Sequence, residues 1–197
     1  MVNMRPFTAF EQKNLKFLVN HNVKFTQVEI TPTGLGKSIL DSTAPMRAYF
    51  LEEGVHDYSE QLQGQEFKQM CNAIILTADS QCITQASFYR PNTKKGDPRM
   101  WIYKLGSYTE GNDIHVLFYF ADNLYSINIT RIDIEKCYNS VIITPLKEVL
   151  MEINQIGNSV SEELLGKFRS VSGQWFESEV LADTGIGRTI ESFLGIS

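Results

Sequence analysis

The chain has 197 residues, of which 43% are hydrophobic and 21% charged, with a net charge of −5. That is ordinary globular material, long enough to bury a core as one domain with a small appendage. A secretory leader, a membrane span and a generally basic nucleic-acid coat are not expected from this composition.

Residues 8–20 read as a short helix, because Thr8 and Glu11 have the spacing of a capping box. Phe7, Phe10, Leu15 and Leu18 would form its buried face. Residues 23–31 read as a strand whose apolar phase slips from Val23 and Phe25 to Val28 and Ile30, as a bulge would cause. The string Thr31-Pro32-Thr33-Gly34-Leu35-Gly36-Lys37-Ser38 then imitates a phosphate-binding P-loop, and residues 116–122 imitate a Walker B strand. Thr31 stands where a tight turn around a phosphate needs glycine, and Pro45 soon afterwards argues against a long crossover helix. Three readings stay open for this string: a nucleotide-binding loop of an enzyme, a plain surface loop, or a loop whose Lys37 and Ser38 reach DNA.

Residues 46–51 read as a second strand and residues 59–70 as a possible helix. Five strand-like runs follow, at residues 73–77, 82–90, 99–105, 114–121 and 124–130, separated by turn-rich pieces. In the last run Tyr125, Ile127 and Ile129 alternate with Ser126, Asn128 and Thr130. Residues 114–121 are apolar almost throughout, as in a strand covered on both faces. The expected fold is therefore mainly β, a β-rich α+β domain. About seven strands would form an open antiparallel pseudobarrel, with short flanking helices. After residue 144 the period becomes helical, through Leu146, Val149, Leu150, Ile153 and Ile156, then Val160, Leu164, Leu165 and Phe168. Residues 1–169 would be this domain with its C-terminal helices, residues 170–183 a linker, and residues 184–197 the start of something else.

The charge is unevenly spread. Residues 90–104 contain Arg90, Lys94, Lys95, Arg99 and Lys104 against Asp97 alone, so this stretch is +4 and the rest of the chain −9. In the loop from Tyr89 to Arg99, Arg suits guanine, Asn92 suits adenine, and Asp97 can accept from cytosine. Lys94 and Lys95 suit phosphates. Pro91 and Pro98 stiffen the loop and lower the ordering cost of binding. A solvated hairpin loop on a protein-interaction barrel is the competing reading. Cys71, Cys82 and Cys137 form no close pair and fit a reducing cytosol. His21, His56 and His115 lie near no ligand pattern, and His115 reads as a satisfied core histidine. No catalytic arrangement, metal site or cofactor is expected in the chain.

The Thr-Gly-x-Gly string recurs as Thr184-Gly185-Ile186-Gly187-Arg188-Thr189-Ile190-Glu191, followed by Phe193-Leu194-Gly195-Ile196. It resembles the opening of the nuclease domain of MvaI/BcnI-type restriction endonucleases, relatives of the mismatch-repair nickase MutH. The resemblance implies that Glu191 lies on the first helix of a PD-(D/E)XK nuclease, whose remaining carboxylates, lysine and Mg2+ belong beyond Ser197. The preceding residues resemble the effector domains of EcoRII-type (type IIE) restriction endonucleases, which are B3-type pseudobarrels. Two features carry that likeness, a Thr-Gly loop after an early strand and a basic loop after the aromatic strand end Phe88-Tyr89. In that family two such arms grip the major groove like a wrench. The resemblance implies an N-arm of Thr33, Gly34, Lys37 and Ser38. It implies a C-arm of Tyr89, Arg90, Asn92, Thr93, Lys94, Lys95, Asp97 and Arg99. It further implies double-stranded DNA bearing 5′-CCWGG-3′ as partner, no membrane, a monomer in a prokaryotic cytoplasm, and a nuclease domain in the same polypeptide.

Overall fold

A computed structural model describes residues 4–172; the repeated motif with Glu191 and most of the expected linker lie outside the described residues. The chain divides into two compact units, Met1–Leu150 and Met151–Ser197. The first unit carries all seven strands. They are β1 (Thr26–Glu29), β2 (Leu40–Asp41), β3 (Gln69–Leu76), β4 (Gln81–Tyr89), β5 (Arg99–Ile102), β6 (Ile114–Phe120) and β7 (Asn123–Asn128). The helices are α1 (Ala9–Asn20), α2 (Pro32–Lys37), α3 (Ala44–Glu52), α4 (Ile134–Asn139) and α5 (Pro145–Ser172), and none is long and apolar enough to cross a membrane among the described residues.

The strands form one curled sheet in the order β1-β6-β7-β3-β4-β5-β2, an open half-barrel with β1 and β2 as its free edges. Tight turns join β3 to β4 and β6 to β7 as antiparallel neighbours, whereas β3 and β7 run parallel, with Ala73 opposite Leu124 and Leu76 opposite Ile127. That one pair makes the sheet mixed rather than wholly antiparallel. β4 and β5 form the hairpin that carries the basic loop, closed by Tyr89 opposite Arg99.

Two expected elements differ. Residues 46–51 form not a strand but most of α3, where Thr43 caps the first turn by accepting from the Met46 N–H and Pro45 sits in that turn. Met46, Tyr49 and Phe50 then fall on one helical face and fill the inside of the sheet together with Ile75, Phe88, Met100 and Ile102. The missing strand is replaced by the short β2, so the count of seven survives. Residues 59–70 are not helical either: only a 3-10 turn at Gln65–Phe67 forms, because Gly64 takes φ +129, outside any helix.

α1 has the expected capping box, with the Glu11 N–H donating to Thr8 Oγ1 (3.2 Å) and the Thr8 N–H to Glu11 Oε2 (2.8 Å). Its buried face is Glu11, Asn14, Phe17 and Leu18; of the expected Phe7/Phe10/Leu15/Leu18 face only Leu18 is buried, while Phe7 and Leu15 are half-buried and Phe10 is exposed. Asn14 explains the rotation. Its amide donates to the Ile129 and Ile132 carbonyls, both at 2.8 Å, and accepts from the Ile134 N–H, docking the helix against the end of β7 and the start of α4. In α5, Leu146, Val149 and Leu150 are buried within the first unit.

Candidate nucleic-acid interface

The candidate arms are the two connections that meet at the β2/β5 edge. Residues 31–38 lead into β2, residues 90–98 lead into β5, and the two strands pair with Leu40 opposite Met100 and Asp41 opposite Arg99. Because the pairing is antiparallel, the arms leave opposite ends of this two-rung ladder, and the Ser42 N–H donates to the Pro98 carbonyl (2.9 Å) to extend it.

The first arm is α2. Thr31 caps it by accepting from the Gly34 N–H (3.0 Å), while the Thr31 carbonyl takes the Leu35 N–H (2.8 Å). Those N–H groups are the ones a phosphate cradle would need, and here they are already bonded. The helix ends at Ser38 in left-handed geometry (φ 53) and turns straight into β2, so no crossover helix follows. Leu35 packs against the core from beneath, while Thr33, Lys37 and Ser38 are exposed. Gly34 is sterically required, since a Cβ there would lie 2.6 Å from the backbone oxygen of Ile39 and 2.9 Å from Thr31 Oγ1. Gly34→Ala is expected to cost about 1–3 kcal/mol as overpacking, read as a lower thermal midpoint together with faster exchange of the Ile39 amide. An unchanged midpoint and amide would mean that the first arm is not fixed by this approach.

The second arm presents Asn92, Thr93, Lys94, Lys95 and Asp97 to solvent. Lys94, Lys95 and Gly96 are all left-handed, with φ of 49, 54 and 72. Tyr89 is buried at the end of β4 with the Lys68 ammonium 5.1 Å above its ring, so it supports the arm and does not offer its face to a partner. Arg90 and Arg99, at the two ends of the loop, are both half-buried and differently used. Arg90 turns toward backbone carbonyls, with Nε donating to Gly96 O at 3.0 Å. Arg99 is 13% exposed, its nearest carboxylate is Asp41 at 3.8 Å, and its buried Nε has no partner among the described residues.

Sequence reading missed several supports. Arg47, on α3, donates to the Ser42 carbonyl at 2.6 Å and so brings another cation to the root of β2. Tyr58 Oη donates to the Arg99 carbonyl (2.9 Å) and lies 2.6 Å from Ser42 Oγ, tying the two strands from below. These residues carry no motif, and only the placement of α3 and residues 53–64 brings them to the arms.

The histidines stay apart from the arms' exposed surface. His115 is fully buried between Ser126 Oγ (2.9 Å) and Thr109 Oγ1 (3.0 Å), and burial pushes its pKa down to about 4, so the ring is neutral. Among the described residues no three His, Cys, Asp or Glu side chains group as a metal site. The three cysteines are free thiols, and Cys71 and Cys82 pack against the core. Comparison with protein-family models, curated proteins and solved structures finds no match for this chain.

Proposed function

We propose that the chain is a sequence-specific double-stranded DNA-binding domain, the effector part of a type II restriction endonuclease, with 5′-CCWGG-3′ as its target. It would hold one copy of the site while a nuclease domain, which alone needs Mg2+, acts on another; the chain itself is non-catalytic. The observation that carries this reading is that both arms lead into the paired strands β2 and β5, with Arg99 at the root of the second arm and its Nε unanswered. A buried guanidinium N–H without a partner costs free energy in the free chain, so Arg99 is not explained by the fold alone. The two arms also carry exposed Lys37, Lys94 and Lys95, which suit phosphates, and Asn92, Thr93 and Asp97, which suit base edges. Residues 90–104 carry +4 on an otherwise acidic chain, a concentration of charge that suits a polyanion.

The direct test is a gel shift with CCWGG and scrambled duplexes over a salt series. A preference for CCWGG that persists as salt rises supports the proposal, and equal affinity for both duplexes at every salt sinks it. Within that series Lys94→Ala is expected to weaken both duplexes alike and to flatten the log–log salt dependence by about one unit, the signature of one lost phosphate contact. An unchanged slope would remove Lys94 from the interface.

A further inference from the structure

Arg90 is the first residue after β4, and everything it donates to is backbone. Nε reaches Gly96 O at 3.0 Å, and Nη1 reaches Gln61 O at 3.3 Å and Tyr58 O at 3.5 Å. The Arg90 carbonyl in turn accepts from the Gly64 N–H at 2.8 Å, and Arg90 forms an isolated parallel bridge with Gln63. Gln63 adds a second fastener, since its amide donates to Lys95 O at 3.4 Å. One guanidinium thus joins the far side of the basic loop to residues 58–64.

The loop needs such a fastener. Two consecutive lysines in left-handed geometry are disfavoured by their Cβ atoms, and only Gly96 adopts it freely. Without an external hold the lysines would relax to other backbone states, and the arm would lose its shape.

The anchor beneath is itself rigid. Gln61 is buried, and its amide donates to Phe67 O (2.9 Å) and Phe88 O (2.8 Å), which leaves its oxygen facing His56 Nε2 at 3.0 Å. The other His56 ring nitrogen, Nδ1, lies 3.0 Å from the Gln69 amide oxygen. The His56 ring stacks on Phe88, with centroids 4.9 Å apart, and meets Tyr58 edge-on at 4.3 Å. A guanine-reading arginine must turn its fork outward to the groove; this one is turned toward the protein's own carbonyls.

We infer that Arg90 is a positioning residue: it bolts the basic loop onto residues 58–64, so that the loop holds its gripping shape before a duplex arrives. The purpose assigned to that shape rests on the DNA-binding reading, but the brace is a property of the free protein. Arg90 and Arg99 then divide the work, one fixing the loop and the other free to meet a ligand.

The test uses amide hydrogen exchange on the free chain, followed by duplex binding. The Gly96 and Asp97 amides, which bond to Thr93 O and Lys94 O, should exchange at least about tenfold faster in Arg90→Gln while the β3 amides stay protected. Arg90→Lys, which keeps the charge but cannot reach three carbonyls at once, should fall between the two, and it serves if the glutamine variant does not fold. Adding Lys95→Gly to Arg90→Gln should restore part of the protection, because glycine removes the left-handed strain. On DNA, Arg90→Gln should weaken both duplexes, the cognate one more, because the braced loop carries base-reading residues as well as lysines. Unchanged exchange at Gly96 and Asp97 would overturn the inference. If the unaltered chain prefers no duplex, the DNA reading fails, and the exchange result still decides the brace.

Discussion

Replacing Glu11 with alanine is expected to destabilise the first unit by about 3 kcal/mol, because the carboxylate is a buried acceptor of several hydrogen bonds, is paired with the part-exposed Arg5, and is also a helix cap. Glu11 is fully buried, and its oxygens take the Arg5 guanidinium (2.5 and 2.9 Å), the Thr130 hydroxyl (2.6 Å) and the Thr8 N–H (2.8 Å). Thr130 Oγ1 in turn accepts from the Ile114 N–H (2.8 Å), so this one side chain joins α1 to the ends of β6 and β7. Alanine would leave the Thr130 hydroxyl and the Thr8 N–H without their acceptor. In a unit of this size the loss corresponds to a fall in thermal midpoint of roughly 6–12 °C.

The same contacts give the effect a pH signature. The Arg5 hydrogen bond, helped by Thr130 and Thr8 and opposed by burial, holds the Glu11 carboxyl down at about 2 against an ordinary 4.5. A carboxylate whose pKa falls on folding stabilises the protein above its unfolded pKa, and that contribution is lost as pH drops from about 4.5 toward 2. Glu11→Gln keeps the shape and an acceptor but cannot titrate. It should therefore remove much of the stability at neutral pH and flatten its fall on acidification. A steep acid transition retained in Glu11→Gln would assign that transition to another carboxylate, with Asp113 the first to try. Asp113 is buried and also held below the ordinary range: burial works against the charged form, but Arg131, the Glu110 N–H and Asn128 outweigh it.

The strands from residue 73 onward were legible because each is a local signal: alternation along β7, continuous apolarity along β6, and turn residues between them; the first half of β3, residues 69–72, was not. α3 was misread for a physical reason. Pro45 looks like a breaker, yet after Thr43 it sits where a missing N–H costs nothing, and the spacing of Met46, Tyr49 and Phe50 was helical throughout. The parallel β3/β7 pair could not be read, since its register is set by packing between segments about fifty residues apart. Among the site residues, exposure of Lys94 and Lys95 follows from their chemistry. The inward turn of Arg90 does not, because the carbonyls that hold it belong to residues 58 and 61 as well as to the loop. Sequence marks which side chains could meet a base, while tertiary placement decides which are left free to do so.

That distinction makes Arg99→Ala the sharpest functional expectation. In the free chain Arg99 is a liability: a mostly buried guanidinium with an unpartnered Nε and only a 3.8 Å contact to an exposed Asp41. Its loss should leave stability unchanged or slightly improved, since a buried unmet donor costs about 1–3 kcal/mol. On a duplex the sign reverses. A bidentate pair with guanine discriminates by about 1–3 kcal/mol, so Arg99→Ala should lose roughly 5- to 150-fold in affinity for CCWGG and far less for a scrambled duplex. Arg99→Lys should not restore the preference, because an ammonium lacks the planar fork. Thermal midpoints and salt-matched binding curves on the same preparations read both effects. Equal losses on both duplexes would make Arg99 a phosphate contact, and a large drop in stability would make it structural. A stable variant that has lost its preference is the outcome that a base-reading arginine requires.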